Sequence, residues 1–145
     1  MKGIFVKIIA YGDNDYLESI RLRTKILREP LGLEYTEEQL AGEATQIHIA
    51  AFSDHKLVGI LLMQPLDKEV VKMRQVAVDS TYQQRGAGSK LVAFSEQWAR
   101  EQQFKTIELH ARDVAVPFYE KCQYEKVGNF FLEVGIGHWK MKKEL

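Results

Sequence analysis

Two closely spaced glycines mark the stretch of this sequence that is best suited to chemistry. Gly86 and Gly88 follow a polar turn after the apolar run 76–78, and they precede a segment with the apolar spacing of a helix. Glycines at a helix start leave several backbone N–H groups facing outward together, because no side chain covers them. These donors and the positive end of the helix dipole favour an anion, usually a phosphate, and Arg85 adds charge-assisted donors beside them. The stretch therefore predicts a phosphate-binding turn, with a simple tight turn as the alternative.

Two common nucleotide-binding motifs do not fit this stretch. A P-loop requires lysine and then serine or threonine directly after its last glycine, whereas here Ser89 precedes Lys90. A dinucleotide-binding fingerprint requires a third glycine, and Leu91 stands in its place. Another kind of loop is therefore expected to hold a pyrophosphate.

The order of residues in this stretch resembles a known loop. Residues 83–88 read Gln-Gln-Arg-Gly-Ala-Gly, which is similar to the acetyl-CoA loop of the GNAT superfamily of acetyltransferases, Gln/Arg-x-x-Gly-x-Gly/Ala. A second matching segment, residues 115–121, follows at the distance expected for this family. The segments that resemble the small bacterial ElaA/YjcF-like branch are Leu22 with Arg23, residues 30–33, residues 109–112 and residues 135–138. The chain is therefore identified as a member of the GNAT superfamily, in that branch.

The resemblance implies both a fold and a co-substrate. The fold class is α/β (α+β): a mixed, mostly antiparallel sheet with helices on both faces, in which the strand ending at Val78 and the strand at residues 106–110 splay apart. Acetyl-CoA enters that gap, where its pantetheine pairs with the first strand. One backbone N–H near Val78 then binds the thioester oxygen, and such a donor is worth on the order of 3 kcal/mol. The residues expected to contact acetyl-CoA are Val76, Ala77, Val78, Gln83, Gln84, Arg85, Gly86, Ala87, Gly88, Ser89, Arg112 and Tyr119.

Tyr119 is the candidate acid, because the family places a tyrosine against the CoA sulfur. Tyrosine has a pKa of about 10 and an aliphatic thiol about 8.5, so that this proton transfer is uphill by about 2 kcal/mol unless the site shifts one of the values. Tyr119 is therefore expected to hydrogen-bond the departing sulfur, with full transfer coming later. A core aromatic beside Phe118 is the alternative interpretation.

The base that takes the proton of the acceptor amine is left open by the sequence. An amine with a pKa near 10 is mostly protonated at pH 7, so that a side chain or a water must accept its proton. The candidates are Glu108, His110, Glu133 and His138. We assign His138 to catalysis and His110 to the acceptor site, with a structural role as the alternative for both. Arg23, Arg74 and the segment 31–45 are expected to complete the acceptor site.

Two residues depart from the family pattern. Arg112 stands where many members have an asparagine that contacts CoA. Its guanidinium is expected to reach a phosphate instead, with a mere feature of the ElaA/YjcF-like branch as the alternative. Gln123 replaces the glycine that commonly ends the last helix. A left-handed conformation would cost glutamine about 1 kcal/mol, so that the helix is expected to end differently.

The composition of the 145-residue chain bounds its partners and its compartment. Twenty basic and twenty acidic residues cancel, so that nucleic acid is not expected as a partner. The single cysteine, Cys122, excludes an intramolecular disulfide, and no histidine pair has zinc-ligand spacing, so that no metal is expected. The apolar run in residues 1–13 is too short and too interrupted for a signal peptide, and no stretch reaches the roughly 18 apolar residues of a membrane span. We therefore expect a cytoplasmic protein without membrane contact.

The elements that must position these residues follow from apolar spacing and turn residues. Strands are predicted at residues 4–10, 46–52, 57–64, 69–78, 106–110, 124–127 and 130–134, with 139–142 extending the last one. Helices are predicted from the cap at Asp13 to Pro30, briefly at 37–40, and at 87–103 and 114–121. One domain, residues 1–145, is expected, and the exposed last strand leaves a homodimer open.

These observations predict an N-acetyltransferase that transfers the acetyl group of acetyl-CoA to a primary amine of a small molecule or a protein. Direct transfer in a ternary complex is expected, because Cys122 lies outside the predicted reaction centre. A non-catalytic acyl-CoA-binding sensor or regulatory module is the alternative, since its loop would look the same. Nucleotide binding at the glycine turn is a third, weaker interpretation.

Overall fold

A computed structural model describes residues 3–145, which form a single mixed sheet with helices packed on it. Its strands are β1 (Phe5–Ile9), β2 (Ile47–Ser53), β3 (Lys56–Pro65), β4 (Val70–Val78), β5 (Thr106–Arg112), β6 (Glu125–Glu133) and β7 (Ile136–Glu144). The spatial order is β1-β2-β3-β4-β5-β7-β6, and every neighbouring pair is antiparallel except β4 and β5. Residues 1–2, the start of the segment considered above as a signal peptide, lie outside the described residues.

The helices begin and end at the residues that capping chemistry favours. They are α1 (Asn14–Arg23), α2 (Glu37–Ala41), α3 (Ala87–Glu101) and α4 (Val116–Lys121). The Asp13 side chain caps α1 by accepting the N–H of Tyr16 at 2.9 Å. The chain continues from α1 through a π-helical turn (Thr24–Arg28) and a 3₁₀ turn (Glu29–Leu31), and Gly32 stops it at φ 68°. Between Gly3 and Leu145 no helix is long and apolar enough to cross a membrane.

Helices cover both faces of the sheet, as predicted. Successive residues of β3 alternate between the two faces. Leu61 and Met63 pack in one apolar cluster with Leu91 of α3, whereas Ile60 packs in a second cluster with Leu22 of α1. Burial on both faces explains why β3 is an unbroken apolar run rather than an alternating one. The predicted fold class is thereby confirmed.

The two central strands separate halfway along their length. β4 and β5 pair from Val70 with Thr106 to Met73 with Leu109, and beyond this point no register joins them. The cause is a bulge in β4 at Gln75, which has φ 56° and interrupts the register with β3. A bulge bends its strand and increases its twist. The predicted splayed pair is present, and a gap opens between the second halves of the two strands.

The carboxyl-terminal strands differ from the prediction. Residues 124–127 and 130–134 were predicted as two strands, but they lie in the single strand β6, whose register shifts between Val127 and Phe131. Residues 136–144 form a separate strand, β7, inserted between β5 and β6. The reversal is a tight turn at Val134 and Gly135, both with positive φ, which a valine does not signal in sequence. The predicted extension, residues 139–142, is therefore in an internal strand, whereas residues 130–133 lie in β6 at the edge of the sheet, and a homodimer formed through that edge stays a prediction.

Candidate active site

The glycine turn joins β4 to α3 by a short 3₁₀ segment, Ser80–Arg85. Gly86 has φ 82°, a left-handed conformation that lets the chain turn sharply into α3 at Ala87. The N–H of Lys90 donates to the carbonyl of Gly86 at 3.0 Å and closes the first turn. The N–H groups of residues 87–89 have no acceptor within the helix, because the residues four positions before them lie outside it. They therefore point outward from the start of α3. The predicted turn with outward-facing donors is thus the observed geometry.

Gly88 allows α3 to begin against α4 and the end of β4. A Cβ atom built there would lie 3.2 Å from the ring of Phe118 and 3.9 Å from Val78. The first of these distances is tighter than ordinary packing, so that any side chain at this position would push Phe118 aside. The second glycine is therefore needed for close packing, whereas Gly86 is needed for its backbone conformation.

The second half of β4 presents backbone donors to the gap. The N–H of Asp79 donates to the carbonyl of Val58 at 2.8 Å, so that the backbone of Asp79 faces β3. Backbone groups alternate in direction along a strand, which turns the N–H and C=O of Val78 and Val76 toward the gap and those of Ala77 toward β3. From the gap side, the Gln83 amide donates to the carbonyl of Val78 at 3.0 Å. The Val78 carbonyl is thus already engaged, and the N–H groups of Val76 and Val78 are the donors that β4 offers to an extended ligand in the gap.

A cavity of about 330 Å³ occupies the gap and continues under the π-helical turn after α1. It brings together six residues predicted for the site: Arg74, Val76, His110, Arg112, Tyr119 and His138. The glycine turn, residues 83–89, lies outside this cavity. A ligand that touched both would have to run along β4 from the turn to the cavity.

Tyr119 lies on α4 at the wall of the cavity. Its side chain is 6% exposed and packs at right angles to Phe118, with ring centroids 5.1 Å apart. Its hydroxyl makes no hydrogen bond with any residue in the described range 3–145. Burial, and then the nearby thiol of Cys122, raise the pKa of Tyr119 above its usual value near 10. The phenol is therefore a neutral donor at pH 7, and giving up its proton to a thiolate costs more than the 2 kcal/mol estimated from ordinary pKa values.

Glu133 joins two of the predicted histidines into one network. Its Oε1 lies 3.0 Å from Nδ1 of His110, and its Oε2 lies 3.6 Å from Nε2 of His138. The Nδ1 of His138 donates to the carbonyl of Ile136 at 2.8 Å, which fixes the hydrogen on that nitrogen. Phe131 packs against both imidazoles at 5.0 and 5.8 Å. Three of the four candidate bases are thus connected, and all three line the cavity.

Glu108, the fourth candidate base, does not belong to this network. Its carboxylate forms an ion pair with Lys140 at 3.3 Å, and it does not line the cavity. The even spacing of Glu108 and His110 puts both on one face of β5, as predicted, but only His110 reaches the gap.

Comparison with known families bears directly on this arrangement. The family model described as "Acetyltransferase (GNAT) domain" matches residues 22–145. The chain belongs to the GNAT acetyltransferase family. The predicted superfamily is thereby confirmed, and so is the predicted class of enzyme, an acyltransferase.

Relatives of this GNAT chain are distant in sequence but similar in fold. The UPF0039 protein of Schizosaccharomyces pombe is 29% identical over 92 residues, 62% of this chain and 61% of that protein, so that less than two thirds of that relative is matched. The structure of Escherichia coli ElaA matches with a TM-score of 0.82 at 19% identity, over 98% of this chain and 100% of that one. A GNAT family acetyltransferase from Elizabethkingia anophelis with acetyl-CoA bound matches with a TM-score of 0.76 at 16% identity, over 98% of both chains.

Arg23 of the GNAT chain does not face the acceptor cavity. Its side chain is 0% exposed, and its two terminal nitrogens donate to the carboxylate of Glu43 at 2.9 and 2.6 Å. The prediction that Arg23 contacts the acceptor is therefore wrong. Its guanidinium instead lies 4.6 Å from the ring of Tyr35, whose hydroxyl donates to Gln75 at the bulge of β4. Arg23 thus supports the bulge that opens the gap.

Arg112 also differs from its prediction. One of its terminal nitrogens donates to the carbonyl of Leu27 at 3.1 Å, in the π-helical turn that follows α1. That turn lies on the α1 face of the sheet, whereas the glycine turn opens α3 on the other face. The contact does not fit the predicted reach to a CoA phosphate, and it places Arg112 in the wall of the cavity instead.

The end of α4 corrects the expectation for Gln123. Gln123 does adopt the left-handed conformation, with φ 72°. Its N–H donates to the carbonyl of Glu120 at 2.9 Å, and the N–H of Tyr124 donates to the carbonyl of Tyr119 at 2.9 Å. These two bonds satisfy carbonyls that a helix end leaves unpaired and offset the cost to glutamine. The same turn holds Tyr119 in place.

Sequence reasoning missed three polar residues of the cavity wall: Arg28, Lys72 and Gln75. Gln75 had no signal, since nothing in its surroundings marks a bulge. Lys72 and Arg74 are two residues apart, so that they lie on the same face of β4. Lys72 could therefore have been predicted from the position of Arg74, which was assigned to the acceptor site. Burial, and then the charge of Arg74, lower the pKa of Lys72 below its usual value.

Proposed function

We propose that this GNAT chain transfers the acetyl group of acetyl-CoA to a primary amine of a small molecule or a protein, directly in a ternary complex. The observation that carries the proposal is the cavity between the splayed strands. It has backbone donors of β4 on one side and an unengaged tyrosine hydroxyl on the other.

The residues along β4 suit acetyl-CoA in an extended conformation. The outward N–H groups of residues 87–89 and the guanidinium of Arg85 would hold the pyrophosphate. The N–H groups of Val76 and Val78 would pair with the pantetheine as a neighbouring strand does. The Elizabethkingia anophelis acetyltransferase, which has a similar fold, has acetyl-CoA bound, and this supports acetyl-CoA as the co-substrate.

The Val78 N–H and Tyr119 act at opposite ends of the bond that breaks. The amine nitrogen bonds to the thioester carbon, and the electron pair of the carbon–sulfur bond leaves with the sulfur. The Val78 N–H binds the oxyanion that forms in between, and the Tyr119 hydroxyl donates a hydrogen bond to the departing thiolate. Because burial raises its pKa, Tyr119 keeps its proton during bond cleavage, and the thiolate is protonated afterwards.

The Glu133 network is the proposed base. His110 and Glu133 line the cavity, so that the proton leaving the amine can pass to the imidazole or the carboxylate, directly or through a water. His138 contacts Glu133 through Nε2 and is held by the carbonyl of Ile136 through Nδ1. With its hydrogen on Nδ1, His138 pairs with the carboxylate only when Nε2 takes up a second proton, so that its role is to support Glu133 once the amine proton has entered the network.

Steady-state kinetics of Tyr119→Phe test the proposal. With acetyl-CoA saturating and thiol release followed across a panel of amines, kcat should fall about 10–100-fold, because a hydrogen bond to a charged group is lost. The KM for acetyl-CoA should stay unchanged. Tyr124→Phe is the matched control, since Tyr124 is buried against Tyr119 at 5.9 Å but does not line the cavity. Unchanged turnover in Tyr119→Phe removes this residue from the chemistry, and acetyl-CoA binding without turnover on any amine favours a sensor module.

A further inference from the structure

Four cationic side chains line the cavity, and none of them forms an ion pair within residues 3–145. They are Arg28, Lys72, Arg74 and Arg112. Three of them donate to neutral oxygens: Arg28 to the carbonyl of Glu34 at 3.0 Å, Arg74 to the side-chain amide of Gln46 at 3.1 Å, and Arg112 to the carbonyl of Leu27 at 3.1 Å. Lys72 has no hydrogen-bond partner among the described residues. A cluster of this kind favours an anion, since each charge loses water without gaining a counter-charge.

The acidic groups nearby offset the charge of this cluster only in part, since Glu133 and Glu108, which both favour the charged form of Lys72, face four cations. Glu133 is the one carboxylate of the described chain that lines the cavity, and it contacts His110 and His138 at 3.0 and 3.6 Å. Glu108 is the register partner of Lys72 across the two strands, but its carboxylate pairs with Lys140 at 3.3 Å. The face of the sheet that meets the acceptor therefore carries an excess of positive charge, although the whole chain is neutral.

The positions of the four cations place the excess on the α1 face of the sheet. Lys72 and Arg74 project from β4 on the α1 face, Arg112 projects from β5 on the same face, and Arg28 comes from the turn after α1. Residues 83–89, which are proposed to hold the pyrophosphate, do not line the cavity. An anion held by the four cations is therefore distinct from the phosphates of CoA.

We propose that the acceptor amine carries a second, anionic group, a carboxylate or a phosphate, which binds to Lys72 and Arg74 in this cavity. The inference rests on the proposed acetyl transfer and names the class of its acceptor. The anion fixes the acceptor at one end, while the amine points along the cavity toward Tyr119. The same positive field disfavours an ammonium ion and so helps to keep the amine in its neutral, nucleophilic form.

Matched pairs of amines test this inference on the full chain. Tyramine is compared with tyrosine for a carboxylate, and ethanolamine with O-phosphoethanolamine for a phosphate, at saturating acetyl-CoA with thiol release as the readout. The anionic member of at least one pair should have a kcat/KM about 10–100-fold above its neutral partner, as expected for a charge-assisted contact. Higher kcat/KM for both neutral members overturns the inference.

Variants of Lys72 separate an anion site from a general loss of function. Lys72→Met should raise the KM of the preferred anionic amine about 10–100-fold and leave its kcat and the KM for acetyl-CoA unchanged, and Lys72→Arg should restore the affinity. Lys140→Met is the matched control, because Lys140 lies on the same face but outside the cavity. A raised KM for acetyl-CoA in Lys72→Met would assign the cations to CoA and overturn the inference.

Calorimetry keeps the two proposals apart if no amine is acetylated. Binding of O-phosphoethanolamine and of tyrosine to the protein saturated with CoA is then measured, with ethanolamine and tyramine as references. Tighter binding of an anionic member, lost in Lys72→Met, supports the anion site while acetyl transfer fails. Equal or weaker binding of both anionic members than of their neutral partners overturns the anion site itself.

Discussion

The buried ion pair of Arg23 and Glu43 should be the most sensitive point of the fold. Arg23 is 0% exposed and Glu43 is 4% exposed, and two hydrogen bonds join them at 2.9 and 2.6 Å. Tyr16 adds a third donor to the same carboxylate at 3.1 Å. Removing one partner leaves an uncompensated buried charge, which costs about 3–5 kcal/mol. Against a total stability of about 5–15 kcal/mol, Arg23→Met or Glu43→Leu alone should come close to unfolding the chain.

The double variant Arg23→Met/Glu43→Leu should be much more stable than the two single variants predict by addition. With both charges gone, no unpaired buried charge remains, and replacing such a pair by apolar side chains is often close to neutral. The hydrogen bond from Tyr16 is lost in Glu43→Leu and in the double variant alike, so that its cost cancels in the cycle. We therefore expect a coupling energy of at least about 3 kcal/mol in a double-mutant cycle.

Equilibrium unfolding in urea measures this cycle. The surface pair Arg21 and Glu18 on α1 is the matched control, because both side chains are more than half exposed and their cycle should give less than about 1 kcal/mol. Single-variant costs below about 1 kcal/mol, or additive costs in the cycle, would refute the reasoning that Arg23 is held as a buried charge.

Two further predictions concern stability. Burial lowers the pKa of His48 below its usual value, so that the unfolded state takes up a proton at a higher pH than the folded state does. The contribution of His48 to the unfolding free energy is therefore fully present above about pH 6.5. It falls by up to about 1.4 kcal/mol for each pH unit below that value. The difference in unfolding free energy between the wild type and His48→Gln should therefore be smaller at pH 5 than at pH 8. An equal difference at the two pH values would contradict this prediction. Gln123→Gly should raise the unfolding free energy by about 0.5–1 kcal/mol, because glycine has no penalty at φ 72°. Gln102→Gly is the control, because Gln102 has φ −85° and is not in the left-handed region; this substitution should lower the unfolding free energy. A change of the same sign in both variants would argue against left-handed strain at Gln123.

The local features of the chain could be predicted because they depend on neighbouring residues. Apolar spacing and caps placed most strands and helices to within a few residues, and the two glycines marked the turn before α3. The splay of β4 and β5 came from the resemblance to a family, since the bulge at Gln75 has no local signature. The tight turn at Val134 was likewise hidden, because β-branched residues rarely adopt positive φ.

The site itself depends on residues that are distant in sequence. Arg23 reads as a polar residue of an amphipathic helix, and its burial follows from Glu43, which is twenty residues away in a segment without periodicity. Glu133, His110 and His138 come from three strands and meet only because β7 inserts between β5 and β6. Such contacts are set by topology, and a single sequence does not reveal them.

Strand β6 forms one margin of the sheet and is paired on one side by β7, and most of its side chains are exposed. Glu133 lies at the end of this strand, so the proposed base sits on an edge of the sheet that has a neighbouring strand on one side only. Weakly supported margins open locally at a lower free energy than the interior does. Moderate heating should therefore separate the Glu133 carboxylate from His110 and His138 while the rest of the sheet stays folded. Catalytic activity should then be lost at a lower temperature than the global unfolding transition.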